Sequence, residues 1–122
     1  MDSPLPPESL GTHLLLDLYG CAPDLLDDPA GLEALLREAA AAAGAQVVGA
    51  MSHRFSPHGA SVVCLLAESH ISIHTWPEQQ TAAVDIYTCG PRCLPSRACD
   101  LIRTQLQAAH FHLQTHHRGS PS

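Results

Sequence analysis

Basic and aromatic residues are both scarce in this chain. Six Lys and Arg stand against twelve Asp and Glu in 122 residues, a formal net charge of −6 with His neutral. That balance excludes the basic stripe a nucleic-acid footprint requires. Aromatics make up 4%, so Leu, Val, Ile and Ala must build the interior. No apolar run approaches the ~18 residues that cross a bilayer. The opening Met1-Asp2-Ser3-Pro4-Leu5-Pro6-Pro7-Glu8 lacks a basic region followed by an apolar one, so no secretory leader is expected. The five cysteines (21, 64, 89, 93, 99) are odd in number and contain no CxxC pair; without an export signal they are expected as reduced thiols. These absences predict a cytoplasmic protein with neither nucleic-acid nor membrane partners.

The length suits a single domain with one core. Residues 1–10, rich in Pro, Ser and acid, and the tail 119–122 are expected to be disordered; the domain should occupy 11–118. Within it the pattern reads as a βαβββαβ-like order with about six strands. His13 to Tyr19 is a leucine-rich strand. Asp28-Pro29 looks like an N-cap followed by a first-turn proline. Leu32, Leu35, Leu36, Ala39, Ala40 and Ala43 then form a helical stripe that Gly44 caps. Gln46–Phe55 and Ser61–Ala67 read as strands joined by a Ser56-Pro57-His58-Gly59 turn. His70–Trp76 and Ala82–Cys89 form another pair, followed by a helix from about Pro95 to Ala109 and a strand from Phe111 to His117. Two amphipathic helices with this many strands predict an α+β, two-layer sandwich: a mainly antiparallel sheet with both helices on one face.

Chemistry concentrates in Glu68-Ser69-His70-Ile71-Ser72-Ile73-His74-Thr75-Trp76-Pro77-Glu78. Strand parity puts His70, Ser72, His74 and Trp76 on one face and Ile71, Ile73 and Thr75 on the other. In the next strand Asp85, Tyr87 and Cys89 share a face. Two polar faces side by side make a site. Ser69 and His74 fall on opposite parities, so their cooperation would need a bend or bulge near Ser69.

The string Glu-Ser-His-Ile-Ser-Ile-His-Thr-Trp-Pro-Glu, with Ala83-Val84-Asp85-Ile86-Tyr87-Thr88-Cys89-Gly90 after it, resembles the prokaryotic S-adenosylmethionine decarboxylase proenzymes from about Gly11 to Arg118. The resemblance implies a two-layer sandwich that dimerises into a four-layer αββα assembly, with active sites near the subunit interface. It implies self-cleavage between Glu68 and Ser69 into a β chain of residues 1–68 and an α chain of 69–122. Ser69 would become a pyruvoyl group that forms a Schiff base with the substrate; no metal and no PLP would be needed. Serine is a weak nucleophile that requires strain, a base and an oxyanion donor. The resemblance assigns Ser61 and His74 to processing, with His74 as its acid/base. Cys89 would be the proton donor in turnover, Phe55 the aromatic stacked on adenine, and Glu78 the carboxylate on the ribose hydroxyls. On this reading Cys89→Ala spares cleavage and slows turnover.

The chain departs from the family pattern at Gln79-Gln80-Thr81 and at Val62, positions expected near the pocket. Those departures keep two further readings open: the same pyruvoyl scaffold acting on ornithine or arginine, and an unprocessed, non-catalytic partner subunit. Taken singly, Ser69 is an ordinary strand-end serine, and His70 and His74 are ordinary groups on an exposed sheet. Cys21, Cys64, Cys93 and Cys99 are expected as core thiols. His110, His112, His116 and His117 have no acid or cysteine at ligand spacing, so they read as a solvated edge strand rather than a metal site.

Overall fold

The computed structural model describes residues 10–119. Six strands, β1 (Gly11–Tyr19), β2 (Val47–Arg54), β3 (Ala60–Leu66), β4 (Ser69–Trp76), β5 (Thr81–Thr88) and β6 (His110–Arg118), form one sheet in the order β2-β3-β4-β5-β1-β6. Every neighbouring pair is antiparallel. Four strands separate the two main helices, α2 (Pro29–Ala42) and α3 (Pro95–Gln105), as the strand-by-strand reading gives, one more than the βαβββαβ label allows. A single turn, α1 (Pro23–Leu26), precedes α2; four residues are too few for a periodic signal. The expected disordered ends fall largely outside the described residues. Leu10 is described, and its N–H donates to the Arg118 carbonyl at 2.7 Å.

The helix signals act as expected at their N-termini and diverge at one C-terminus. Asp28 caps α2 by accepting from the Gly31 N–H at 3.1 Å, ahead of Pro29. At its end Gly44 takes φ +80°, and the Ala45 N–H returns to the Ala40 carbonyl at 2.9 Å, a Schellman closure that satisfies an orphan carbonyl. The same closure ends α3 four residues earlier than its apolar pattern suggested. There Gln107 adopts φ +58° and the Ala108 N–H bonds the Arg103 carbonyl at 3.0 Å. Glutamine in the left-handed region carries no sequence signal of the kind glycine gives.

The core lies between the sheet and the helices. Leu32, Leu36, Ala39 and Ala40 of α2 and Ala98 and Ile102 of α3 pack with Leu16, Leu18, Val62, Cys64, Ile71, Ile73 and Ile86, all buried. Each such Leu or Ile contributes about 1.5–3 kcal/mol by leaving water. Cys21, Cys64 and Cys99 are core thiols as expected, whereas Cys93 is half-buried. Burial pushes the Cys99 thiol up to about 12. Val62 is fully buried in this core, so it faces the helices and not a pocket. Thr75 shares this inner face; its hydroxyl donates to the Leu26 carbonyl at 2.7 Å and accepts from the Ala60 N–H at 2.9 Å, tying β4 to α1 and β3. The opposite sheet face lacks a helical cover, and Met51 and Leu65 stand 78% and 55% exposed on it.

Candidate active site

Antiparallel register lays the polar residues of that open face in rows. Ser61 lies opposite His74, His74 opposite Ala83, and Ala83 opposite Asp17. The next row runs Val63, Ser72, Asp85, Leu15, and the third Leu65, His70, Tyr87, His13. Strand alternation gives these residues one common side. An open depression of about 820 Å³ spans the rows, with His70, Ser72, His74 and Asp85 in its lining. Ser69 and Cys89 do not line it; Ser69 reaches it through the His70 ring.

Glu68 and Ala67 form the turn between β3 and β4, with Leu66 paired to Ser69. Two-residue hairpins normally place positive φ on glycine or asparagine within the turn. Here the positive φ, +148°, falls on Ser69, a conformation a residue with a Cβ adopts at a cost of about 1–3 kcal/mol. The irregularity expected near Ser69 is therefore present, at the first residue of β4. The Glu68 carboxylate is held at Oε1 by the Gln46 N–H at 3.0 Å. Its carbonyl oxygen accepts the Cys89 N–H at 3.1 Å and the Cys89 thiol at 2.9 Å. Two donors on one carbonyl is the arrangement that stabilises a developing oxyanion.

The bend brings Ser69 to His70 rather than to His74. Ser69 Oγ lies 3.3 Å from His70 Nδ1. Nε2 of His70 and Nε2 of His13 both meet Asp85 Oδ2 at 2.9 Å, while the Ser72 hydroxyl donates to Asp85 Oδ1. Partial burial works to raise the Asp85 pKa, but the hydrogen bonds from Ser72, His13 and His70 outweigh it and hold the carboxyl below its ordinary value. Among the described residues, His13, His70 and Asp85 are the one close cluster of metal-ligand types, and the 2.9 Å contacts from both ring nitrogens to Asp85 Oδ2 make it a hydrogen-bonded group rather than a cation cradle. The C-terminal histidines lie on exposed β6.

His74 has a different partner. Its Nδ1 sits 2.6 Å from Ser61 Oγ, so the two residues assigned to processing do form a pair. Phe55 follows β2 at the same end of the sheet, 46% exposed, its ring edge-on to His53 at 4.8 Å. Glu78 sits just past β4 in a single 3-10 turn, Pro77–Gln79, exposed. Gln80 closes that turn at φ +54°, a place where glycine would be at ease. The site residues thus form two groups at opposite ends of β4. Glu68, Ser69 and Cys89 stand at one end, and Phe55, Ser61, His74 and Glu78 at the other. Five residue steps of strand separate Ser69 from His74, about 17 Å at ~3.4 Å per step.

Sequence parity placed Asp85 on the correct face but gave no reason to join it to His13, which is distant along the chain. Only the β1–β5 register, with Leu15 opposite Asp85, supplies that contact.

The sequence pattern of the S-adenosylmethionine decarboxylase family matches residues 12–119. The chain belongs to that family. The S-adenosylmethionine decarboxylase proenzyme of Parasynechococcus marenigrum (strain WH8102) is 45% identical over 113 residues, covering 93% of this chain and 88% of the relative. A proenzyme of the same name from Methanococcus aeolicus is 46% identical over 111 residues, covering 91% and 95%. The crystal structure of the adenosylmethionine decarboxylase from Aquifex aeolicus superposes with a TM-score of 0.86 at 46% identity, covering 93% of each chain. The decarboxylase family fold is therefore this antiparallel sheet with helices on one face.

Proposed function

We propose that this chain is a self-processing, pyruvoyl-dependent decarboxylase that converts S-adenosylmethionine to its decarboxylated form and CO2, making the aminopropyl donor for polyamine synthesis. The observation that carries the reading is the Glu68–Ser69 junction. A serine in a strained conformation follows a carbonyl already gripped by two donors from Cys89. The Ser69 hydroxyl attacks that carbonyl and converts the peptide to an ester. His74 then removes the Ser69 α-proton, and the Glu68 carboxylate departs to leave dehydroalanine. Water adds, ammonia leaves, and residue 69 becomes a pyruvoyl group. The chain contains no lysine with which to anchor PLP, so a backbone-derived carbonyl suits its composition. Once formed, such a carbonyl supplies the electron sink for loss of CO2.

Cleavage releases the Glu68 carbonyl from Cys89 and frees that thiol to protonate the substrate carbon, as its assigned role requires. Phe55 offers a face for adenine, and Glu78 can accept from both ribose hydroxyls. His74 lies too far along the strand to reach Ser69 of its own chain. We therefore assign the work to a two-fold homodimer in which the open sheet faces pack together. Each chain then brings Phe55, Ser61, His74 and Glu78 to the Glu68–Ser69–Cys89 end of the other. An isologous interface completes two such sites at once, and exposed Met51, Val63 and Leu65 give it apolar contact. No helix among the described residues is long and apolar enough to cross a membrane, and all five cysteines are free. The free thiols suit a reducing cytoplasm.

Intact mass after expression, followed by CO2 release from S-adenosylmethionine, ornithine and arginine, tests the reading. Two fragments split at 68/69 and turnover of the nucleoside are expected. An uncut chain of 13.0 kDa points to a non-catalytic subunit, and activity on an amino acid alone moves the substrate assignment.

A further inference from the structure

With both rings neutral, the hydrogen bonds around Asp85 admit one consistent placement of protons. An ionised carboxylate only accepts, and Asp85 Oδ2 has two ring nitrogens at 2.9 Å, Nε2 of His70 and Nε2 of His13. Both must donate, which leaves the Nδ1 of each neutral ring as a lone pair. The surroundings agree at both ends. His13 Nδ1 faces the Arg118 guanidinium at 3.2 Å, a group that can only donate. His70 Nδ1 faces Ser69 Oγ at 3.3 Å, whose proton therefore points at the imidazole. Ser72 fills the remaining carboxylate oxygen, so Asp85 is fixed from three sides. The result is an unbroken hydroxyl–imidazole–carboxylate chain, Ser69–His70–Asp85, within one polypeptide. It ends on the hydroxyl beside the carbonyl that Cys89 holds.

We propose that His70, aligned by Asp85, is the general base that starts self-cleavage, a step separate from the one assigned to His74. His70 Nδ1 takes the Ser69 hydroxyl proton as Oγ forms a bond to the Glu68 carbonyl carbon. The carbonyl electron pair moves onto oxygen, where Cys89 N–H and Sγ–H receive it. When the intermediate collapses, the C–N bond breaks and the Ser69 nitrogen takes the proton back from the imidazolium. The products are an ester and a free amine, with no proton gained or lost overall. Asp85 stabilises the transient imidazolium and fixes the reactive tautomer. His13, Ser72 and Arg118 are positioning residues that act through Asp85. The division explains why two histidines sit at opposite ends of β4: one serves Ser69 in its own chain, the other serves the partner's.

The inference rests on self-cleavage at 68/69, and the experiment separates the two. Purified precursor is followed by denaturing gel with and without hydroxylamine, which cuts an ester but not a peptide. If the unsubstituted chain never cleaves, the proposed function fails first. If it does, His70→Asn should slow cleavage by about 10²–10⁴-fold and stay resistant to hydroxylamine, because no ester has formed. His74→Ala should instead accumulate a hydroxylamine-sensitive ester. Asp85→Asn retains the side-chain shape without the charge, and should also slow the hydroxylamine-resistant step; it decides the matter if His70→Asn does not fold. Normal cleavage in a folded His70→Asn or Asp85→Asn variant overturns the assignment. So does ester accumulation in either.

Discussion

Both hydrogen bonds that Cys89 sends toward β4 end on a single atom, the Glu68 carbonyl oxygen, at 3.1 Å from the backbone N and 2.9 Å from Sγ. This contact changes what a cysteine substitution should do. Cys89→Ala removes one of two oxyanion donors, so self-cleavage should slow by about 10–100-fold rather than be spared, the loss of one such donor elsewhere reaching ~10²–10³. Turnover should fall as well. Timed mass spectrometry of the precursor reads the first effect and CO2 release from already cleaved protein the second.

Division of the site between two chains has a signature in mixed assemblies. Ser69→Ala and His74→Ala should each remain uncut when expressed alone. Expressed together, the Ser69→Ala chain can lend its intact His74 to the Ser69 of the other. Cleavage of up to about half of the His74→Ala chains is expected when the two mix randomly, which is two-site statistics for a two-fold dimer. Fragments from the tagged His74→Ala chain check it, and their complete absence from confirmed heterodimers would sink the assignment in trans.

Strain at Ser69 should be visible in stability apart from chemistry. Ser69→Ala and Ser69→Gly both remove the nucleophile, so both stay whole. Glycine tolerates φ +148° where alanine does not. Ser69→Gly should therefore be more stable than Ser69→Ala by about 1 kcal/mol or more, less any gain in unfolded-chain entropy. Urea denaturation of the two uncut proteins provides the comparison.

Acid should loosen the fold through Asp85. Its folded pKa lies below the ordinary carboxyl value despite partial burial, because Ser72, His13 and His70 donate to it. A depressed folded pKa contributes stability above the unfolded value, near 3.9, and that contribution is lost as pH falls through the folded one. Asp85→Asn should therefore cost about 1–3 kcal/mol at neutral pH and flatten the decline of stability below about pH 4. Chemical denaturation across pH, on a Ser69→Ala background to keep the chain whole, measures both.

Much of this was legible in the chain itself. Alternating Ile71, Ile73 and Thr75 against His70, Ser72 and His74 determined which side of β4 meets the helices, because a strand has a two-residue period whatever its neighbours. Asp28-Pro29 and Gly44 determined where α2 begins and ends, since capping is a local matter of orphan backbone groups. The opposite parities of Ser69 and His74 called for an irregularity only if the two met within one strand; φ at Ser69 is irregular, but it brings Ser69 to His70. What parity could not decide was the use to which that bend is put. Only the β1–β5 register joins His13 to Asp85, and only the length of β4 keeps His74 away from Ser69. Such contacts depend on strand pairing between segments far apart in sequence, which no local propensity encodes. Strand period and local capping assign the faces and the reactive residue types; pairing between distant strands settles which base touches which hydroxyl.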